Sequence, residues 1–486
     1  MVIIKRTDST GNWIVYHRSA SGDLYLNRNY PADPQHQFIG NTTPSTFSVD
    51  ISASYLNTLG ATYVAYLFAH DPSADGIIQC GSFTTDGSGN ATVDLGWEPQ
   101  YVMLKATTSA IDNWQVHDTA RGTSVTNLAL LLPNSSDAEI NATGDYLKPT
   151  SIGFTLQNYS TSAPYIYLAI RRPNKPPTTG TQVYNAITYT GNGGTQTVTT
   201  PFNNLSLVIS KALNSGAGAS STQLTDRLRG LNNYLLADST ATEYNTTGAI
   251  YVDSSKITYT YGSGAFVNQN AVSYINHFFR RAPGFFDVVC YTGTGVLGRT
   301  VAHNLNVQPE MIVVKRRDGA QDWNVYHSGI DILGSKILLL NTTQGVQNGD
   351  TWNAQLATNT VFYVGGGAGN VSTQTYVAYL FATLAGISKV GSYTGNGSSQ
   401  TINCGFSTGS RFILIKRTDA TGDWYVWDSV RGIIAANDPH LSLNTTAAEV
   451  TTDDSVDPDA SGFIVNQNTA TNINVNGGKY IFLAIA

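Results

Sequence analysis

Charge is scarce in this sequence: Asp, Glu, Lys and Arg make up 12% of 486 residues, about half the usual share. Disordered chains are charge-rich and aromatic-poor, so this scarcity, beside 27 Tyr, excludes an unfolded polymer. The net charge of −6 supplies no basic stripe for phosphates, which argues against nucleic acid and anionic membranes as partners. Cysteine is scarcer still. Cys80, Cys290 and Cys404 are odd in number and share no repeat position, so free, mostly buried thiols are expected rather than a disulfide framework. No apolar run has the length of a membrane-crossing helix. The opening MVIIKRTD has neither the h-region nor the cleavage site of a secretion signal, so a soluble protein made in a cytoplasm is expected. Also missing are a recurring carboxylate pair, a Ser-His-Asp order and a metal-spaced His/Cys cluster. The sequence therefore offers no enzyme, no cofactor and no metal site.

What is present is a repeated phrase. It reads KRTDSTGNWIVYH at residues 5–17, KRRDGAQDWNVYH at 315–327 and KRTDATGDWYVWD at 416–428. Looser copies are KATTSAIDNWQVHD at 105–118 and KALNSGAGASSTQLTD at 211–226. The lysines recur about every 100 residues, a domain-sized period rather than that of a solenoid or propeller. Each unit passes the same stations around the phrase. A strand with a Gly-rich turn leads, as in AITYTGNGGTQTVTT from Ala186; an apolar strand ends in Lys, as in YVMLK, LVISK, MIVVK and FILIK. The Trp strand, a Leu-rich strand and a Thr/Ser/Asn-rich stretch follow, and the unit closes on YVAYLFA, YIYLAI, YINHFF or YIFLAI.

Short strands between turn residues, with no long 3.6-residue period, point to an all-β chain: a tandem array of antiparallel β-sandwich, jelly-roll-like domains. The expected units are residues 1–72, 73–174, 181–283, 284–385 and 386–486. Of their junctions, only RRPNKPPTTG from Arg171 is Pro-rich enough for a stiff spacer, so units should sit close together in a rod or tightly curved stack. The first unit begins at the Lys strand without a leading hairpin. Either the chain is part of a longer product, or a neighbour supplies the missing strand by edge augmentation.

The repeated Trp13, Trp114, Trp323 and Trp424 could be sugar-stacking platforms or the core anchor of each sandwich. Recurrence in nearly every copy favours the anchor, although one copy has Thr222 instead. Strand alternation places Trp13, Val15 and His17 on one face and Ile14 and Tyr16 on the other. The recurring Lys is expected to lay its stem on the core while its ammonium reaches water. Asp118 with Arg121, Asp226 with Arg229, and Asp428 with Arg431 read as turn ion pairs or caps, worth little if exposed. DGSGN from Asp86 has the oxygen-rich look of a calcium loop, but Trp97 stands where the twelfth-position Glu belongs, so a hairpin turn is expected. If the protein grips glycans, the expected contacts are Tyr16, Trp114, Tyr326 and Trp427, with unit-specific loops such as 213–222.

The run SYTGNG…FILIKRTDATGDWYVWD…LSLNTTAAE…YIFLAIA, and TYVAYLFA followed by CGSFTTDGSGNATVDLGWEPQYV, resembles a repeat of tailed-bacteriophage virion proteins of the tail-fibre or minor structural kind. The resemblance spans nearly the whole chain and is weakest at residues 186–279, where Trp is lost. It implies a virion-surface component, assembled in the host cytoplasm, with other virion proteins and possible host-surface glycans as partners and a homo-oligomeric state. Repetition would then serve avidity. A purely architectural capsid-decoration or tail protein is the alternative, expected to show large apolar patches between units and no solvent-facing aromatic groove. A polysaccharide depolymerase is a third, and would need a carboxylate pair in a cleft.

Overall fold

Runs rich in Val, Ile, Thr and Tyr, broken by Gly and Asn, form short antiparallel strands throughout the computed structural model, as expected of side chains that suit a pleated surface. Among the described residues there is no α-helix, only the 3₁₀ turn Gly180–Gln182. The structure describes all residues except 41, 44, 51–55, 74–75, 110–111, 126, 144–145, 173, 200–204, 215–220, 231, 246–249, 253–255, 261–266 and 331–333. Most of the expected contact loop 213–222 thus lies outside the described residues. The chain forms two compact units, Met1–Pro173 and Asn174–Ala486. The first holds the first two repeats of the phrase and the second holds the other three.

The fourth repeat illustrates the plan. Its large sheet runs, in spatial order, Phe286–Thr292, Thr375–Phe381, Met311–Arg316, Asn324–His327, Lys336–Leu339 and Gln347–Asn348. A small sheet pairs Arg299–Ala302 with Val361–Val364. Side chains of both sheets share one core: Ile312, Val314 and Leu380 from the large sheet meet Val301 and Phe362 from the small one. The split is uneven elsewhere too, with six and three strands in the second and third repeats and five and three in the fifth. In the first repeat the large sheet has four strands, and the closing strand Tyr63–Leu67 is its edge.

The leading Gly-rich turns are not the hairpins expected, because the strands they join do not pair. Phe286–Thr292 lies in the large sheet and Arg299–Ala302 in the small one, and the turn from Asp86 likewise crosses between sheets. The tip needs a left-handed residue, supplied by Gly193, Gly295 or Gly397 at φ +66°, +72° and +76°. A buried Asn pins each tip by accepting from its backbone: Asn268 from Asn192 N, Asn370 from Thr294 N and Asn474 from Asn396 N, at 3.0, 2.8 and 2.9 Å. Asp86 caps its own turn, accepting from Ser88 N and Asn90 N.

The Lys strand is buried on both faces, which is why it reads as an unbroken apolar run. In the fourth repeat Ile312 and Val314 enter the repeat's own core. Met311 and Val313 point the other way, toward neighbouring repeats. Leu207 and Ile209 of the third repeat and Phe412 and Leu414 of the fifth meet them around a wholly apolar cavity of about 40 Å³. Phe279 of the third repeat lies 6.0 Å from Phe381 of the fourth and 5.7 Å from Phe412 of the fifth, edge-on to both. Each such side chain contributes about 1.5–3 kcal/mol relative to exposure. The second unit therefore has a common core where three repeats meet, besides the core inside each.

Candidate functional site

The repeated phrase is the apparatus that joins one repeat to the next. Trp424 donates its indole N–H to the carbonyl of Leu339 in the preceding repeat at 3.0 Å, and Trp323 donates to Leu236 O at 2.9 Å. In the first unit Trp114 donates to Tyr25 O at 2.9 Å. These carbonyls hold one position, two residues before the Asn or Asp side chain (Asn27, Asp238, Asn341) that accepts the backbone N–H of Trp13, Thr222 or Trp323. A second shared bond runs between backbones: Ala32 N to Thr107 O, Glu243 N to Arg317 O, Val346 N to Thr418 O and Glu449 N to Leu213 O, at 2.7–2.9 Å. In every case the acceptor lies two residues after the Lys of the phrase.

The last of these bonds joins the fifth repeat back to the third. Arg411 adds to that closure by donating to Tyr184 O and Asn185 Oδ1 at 2.9 and 3.0 Å. Residues 184–485 thus form a closed ring of three repeats, each joined to the next by the same backbone bond and a lysine-to-carbonyl bond. The indole bond is added at the two junctions whose phrase keeps its Trp.

The lysines depart from expectation. Lys105, Lys211, Lys315 and Lys416 are buried rather than reaching water, because the neighbouring repeat covers the face on which they lie. Carbonyls replace the water. Lys315 Nζ donates to Gln321 O at 2.8 Å and to Thr240 O of the third repeat at 2.9 Å. Lys416 donates to Gly422 O and to Thr343 O of the fourth repeat, and Lys211 to Thr445 O of the fifth. Burial lowers all four to about 8. Such bonds from a charged donor are worth about 1.5–3 kcal/mol, which offsets much of the desolvation.

The position after the Trp strand alternates between His and Asp for a reason visible at the junctions. His17 and His327 each meet a main-chain carbonyl of the next repeat, Tyr167 O at 3.0 Å and Phe482 O at 3.3 Å. Asp226 instead accepts from Tyr379 Oη of the fourth repeat at 2.8 Å, and Asp428 faces His277 of the third at 4.0 Å. Burial lowers His17, His277 and His327 to about 4. The Asp–Arg turn pair is both ion pair and cap: Arg431 donates its backbone N–H to Asp428 Oδ1 and its side chain to Oδ2 and to Glu449. Arg229 repeats this with Asp226 and Glu243. In the ring these groups are buried, not the exposed pairs the sequence allowed.

The four expected glycan contacts are distributed by the same geometry. Trp114 is buried in the junction of the first unit. Tyr326 and Trp427 lie on the opposite strand face, inside the cores of the fourth and fifth repeats, Tyr326 against Trp352 at 6.0 Å. None of these three offers a face to a sugar, because the strand bearing them is covered on both sides. Tyr16 is partly exposed, at the edge of the first repeat's core. The structure does not bring the four together. The repeated Trp is an anchor, but between repeats rather than within one.

One open groove, of about 540 Å³, lies where the fourth and fifth repeats meet. Its origin is a set of substitutions. At the preceding junction Arg229, Glu243 and Arg317 fill the space with a paired network. Matched through the shared backbone bonds, Ile330, Val346 and Thr418 stand there instead and leave the groove. Tyr393, Thr394, Asp419 and Lys479 also line it, and Tyr393 is stacked on Tyr480 at 4.9 Å. Asp419 is held below the usual carboxylate range, against the cost of burial, chiefly by its bond from Arg417 at 2.9 Å. An ionised, paired carboxylate beside hydroxyls and one ammonium suits polar binding and is ill placed for general acid work. The shortened side chains at Ile330 and Val346 were the available sequence signal for this groove.

The fifth repeat also buries His440, Asp453 and Ser455 together. His440 Nδ1 is 3.2 Å from Asp453 Oδ1, but Ser455 Oγ donates to Asp453 Oδ2 at 2.8 Å. The hydroxyl thus serves the carboxylate and not the imidazole, so no base activates it. Among the described residues no group of three or more His, Cys, Asp or Glu could hold a metal ion.

Fold and junctions together define an all-β repeat protein whose recurrent residues hold repeat to repeat. The model of a domain of unknown function, DUF7483, matches residues 1–173 and 280–486, and the chain belongs to that family. The unmatched stretch contains the repeat in which Thr222 replaces Trp. No curated protein matches the chain.

Proposed function

We propose that the protein is a structural component of a bacteriophage virion surface, of the tail-fibre or decoration kind, in which the repeats serve architecture first. The observation that carries the architectural part is the use of the recurrent phrase: its Trp, Lys and His/Asp are consumed in joining repeats. The virion part rests on the resemblance of the repeat sequence to tail-fibre and minor structural proteins of tailed phages. Immunogold labelling of purified phage particles with antibodies to the chain tests it. Label on the tail or capsid surface is expected, and particles free of the protein would overturn the reading.

A second reading, adhesion to host-surface glycans, is favoured by the groove at the junction of the fourth and fifth repeats. Its polar rim and one partly exposed tyrosine suit a hydroxyl-rich ligand of weak affinity. A glycan array probed with the native chain and with Lys479→Glu separates the readings. Binding that the variant loses supports adhesion there; binding that the variant retains removes the groove from it.

A further inference from the structure

The first unit makes the ring's junction once and stops. Its second repeat grips its first through the bonds that recur around the ring: Trp114 Nε1 to Tyr25 O, and Ala32 N to Thr107 O. In the ring every repeat has two such neighbours, whereas here each repeat has one. The two unused faces carry the parts that the ring uses. On the first repeat Trp13 is half-buried and stacks on Tyr66 at 6.2 Å and 24°, just as Trp323 stacks on Tyr379 at 6.5 Å and 19°. The closing strands are the same there, TYVAYLFA at 62–69 and at 375–382. Yet Tyr379 is buried against Asp226 and Arg229 of the neighbouring repeat, while Tyr66 is 48% exposed. Lys5 donates to Gly11 O at 2.6 Å and is partly exposed, whereas Lys105, Lys211, Lys315 and Lys416 are buried.

On the second repeat the matching face is also open. Asp118, Arg121 and Glu139 reproduce the Asp–Arg–Glu network bond for bond. Their side chains remain 21%, 21% and 30% exposed, against 0%, 0% and 11% for Asp226, Arg229 and Glu243 in the ring. The same residue types in the same local geometry differ in what covers them.

We propose that these two faces of the first unit receive a third repeat of the same family, from outside residues 1–486, closing a ring like that of residues 184–485. The occupant is specified by what it must present. Toward Asp118 and Arg121 it needs a hydroxyl or imidazole on its closing strand, as Tyr379 and His277 are in the ring. Toward Trp13 and Lys5 it needs the free carbonyls that Leu339 and Thr343 supply to Trp424 and Lys416. Continuity with an interface made four times in this chain carries the assignment, and it does not depend on the virion reading. A second copy of the chain does not fit the place. Were its first repeat to dock there, its own second repeat would occupy the position already held by the first repeat of the host copy.

The test compares the full chain with the same chain carrying a duplicate of residues 284–385 ahead of Met1 on a long Gly/Ser linker, which raises the effective concentration of a suitable occupant. Of the seven Trp, six are buried and Trp13 is the partly exposed one, so iodide quenching of Trp emission reads its cover. A quenchable fraction is expected in the native chain and its near-complete loss in the extended chain, with restoration by Arg121→Glu. An extended chain whose duplicate folds, by additive far-ultraviolet circular dichroism, and whose Trp13 stays equally quenchable would overturn the proposal. So would a native chain that dimerises on its own with Trp13 covered, which would assign the face to a second copy.

Discussion

Residues 1–173 and residues 174–486 use one kind of junction, but the first unit makes it once and the second makes it three times and closes it. Asp118 and Arg121 are partly exposed where Asp226 and Arg229 are buried; Tyr66 faces solvent where Tyr379 is covered. The difference teaches that the repeat's sequence sets which groups meet, while the number of neighbours sets what each meeting is worth. A paired charge at a surface contributes about 0–1 kcal/mol, whereas removing one partner of a buried pair costs about 3–5 kcal/mol.

Acid should have the largest effect, and on both units. Burial holds His277 and His327 of the ring, and His17 of the first unit, at about 4, below the ordinary 6.5. Above 6.5 all are neutral folded or unfolded. Below it the unfolded chain takes up protons that the folded chain refuses, so stability is lost as pH falls from 6.5 through 4. Each histidine accounts for about 3 kcal/mol. His117 of the first unit, lowered to about 3 by burial, adds to His17, and burial also lowers His303 and His440 in the ring. Both units should therefore lose several kcal/mol, about 3 per strongly lowered histidine. Hydrogen exchange of each unit between pH 7 and 4 measures this.

Next come the buried charges. Arg229→Ala should destabilise the ring by about 3–5 kcal/mol, and Arg121→Ala the first unit by about 0–1 kcal/mol, read from denaturant unfolding. Equal effects would break the comparison. The tryptophans should rank similarly: Trp323→Ala should cost about 3–5 kcal/mol, as large core truncations do, and the half-buried Trp13 clearly less.

The smallest effect is expected at alkaline pH. Lys211, Lys315 and Lys416 are lowered to about 8 by burial, so between pH 8 and 10.5 the unfolded chain holds protons the ring has released, and ring stability rises with pH. The rise should be shallow, because the carbonyls that accept from each ammonium favour its charged form. Urea midpoints at pH 8 and 10 check the sign.

Much of the fold was legible. The phrase counted the repeats, and its alternation put Trp13 and His17 on one face and Tyr16 on the other, as the structure has them. Alternation says that two faces differ; it does not say what covers each. Tyr326 and Trp427 therefore looked available and are in fact core. The burial of Lys315 depends on Thr240, 75 residues away, and that of Lys211 on Thr445, 234 residues away. No local pattern carries such separations. The groove could have been glimpsed where Ile330 and Val346 replace a charged pair, but only once the junction's bonds align the repeats.

The central claim is that the phrase closes the third, fourth and fifth repeats into a ring. The most direct test is the distance between the third and fifth repeats, which are not neighbours in sequence. Spin labels at Asn214→Cys and Ala447→Cys, in a chain with Cys80, Cys290 and Cys404 replaced by Ala, flank the bond from Glu449 N to Leu213 O at 2.9 Å. A single short distance, unchanged on dilution, is the result the ring predicts. A long or broad distribution, as from three repeats strung in a line, would contradict it.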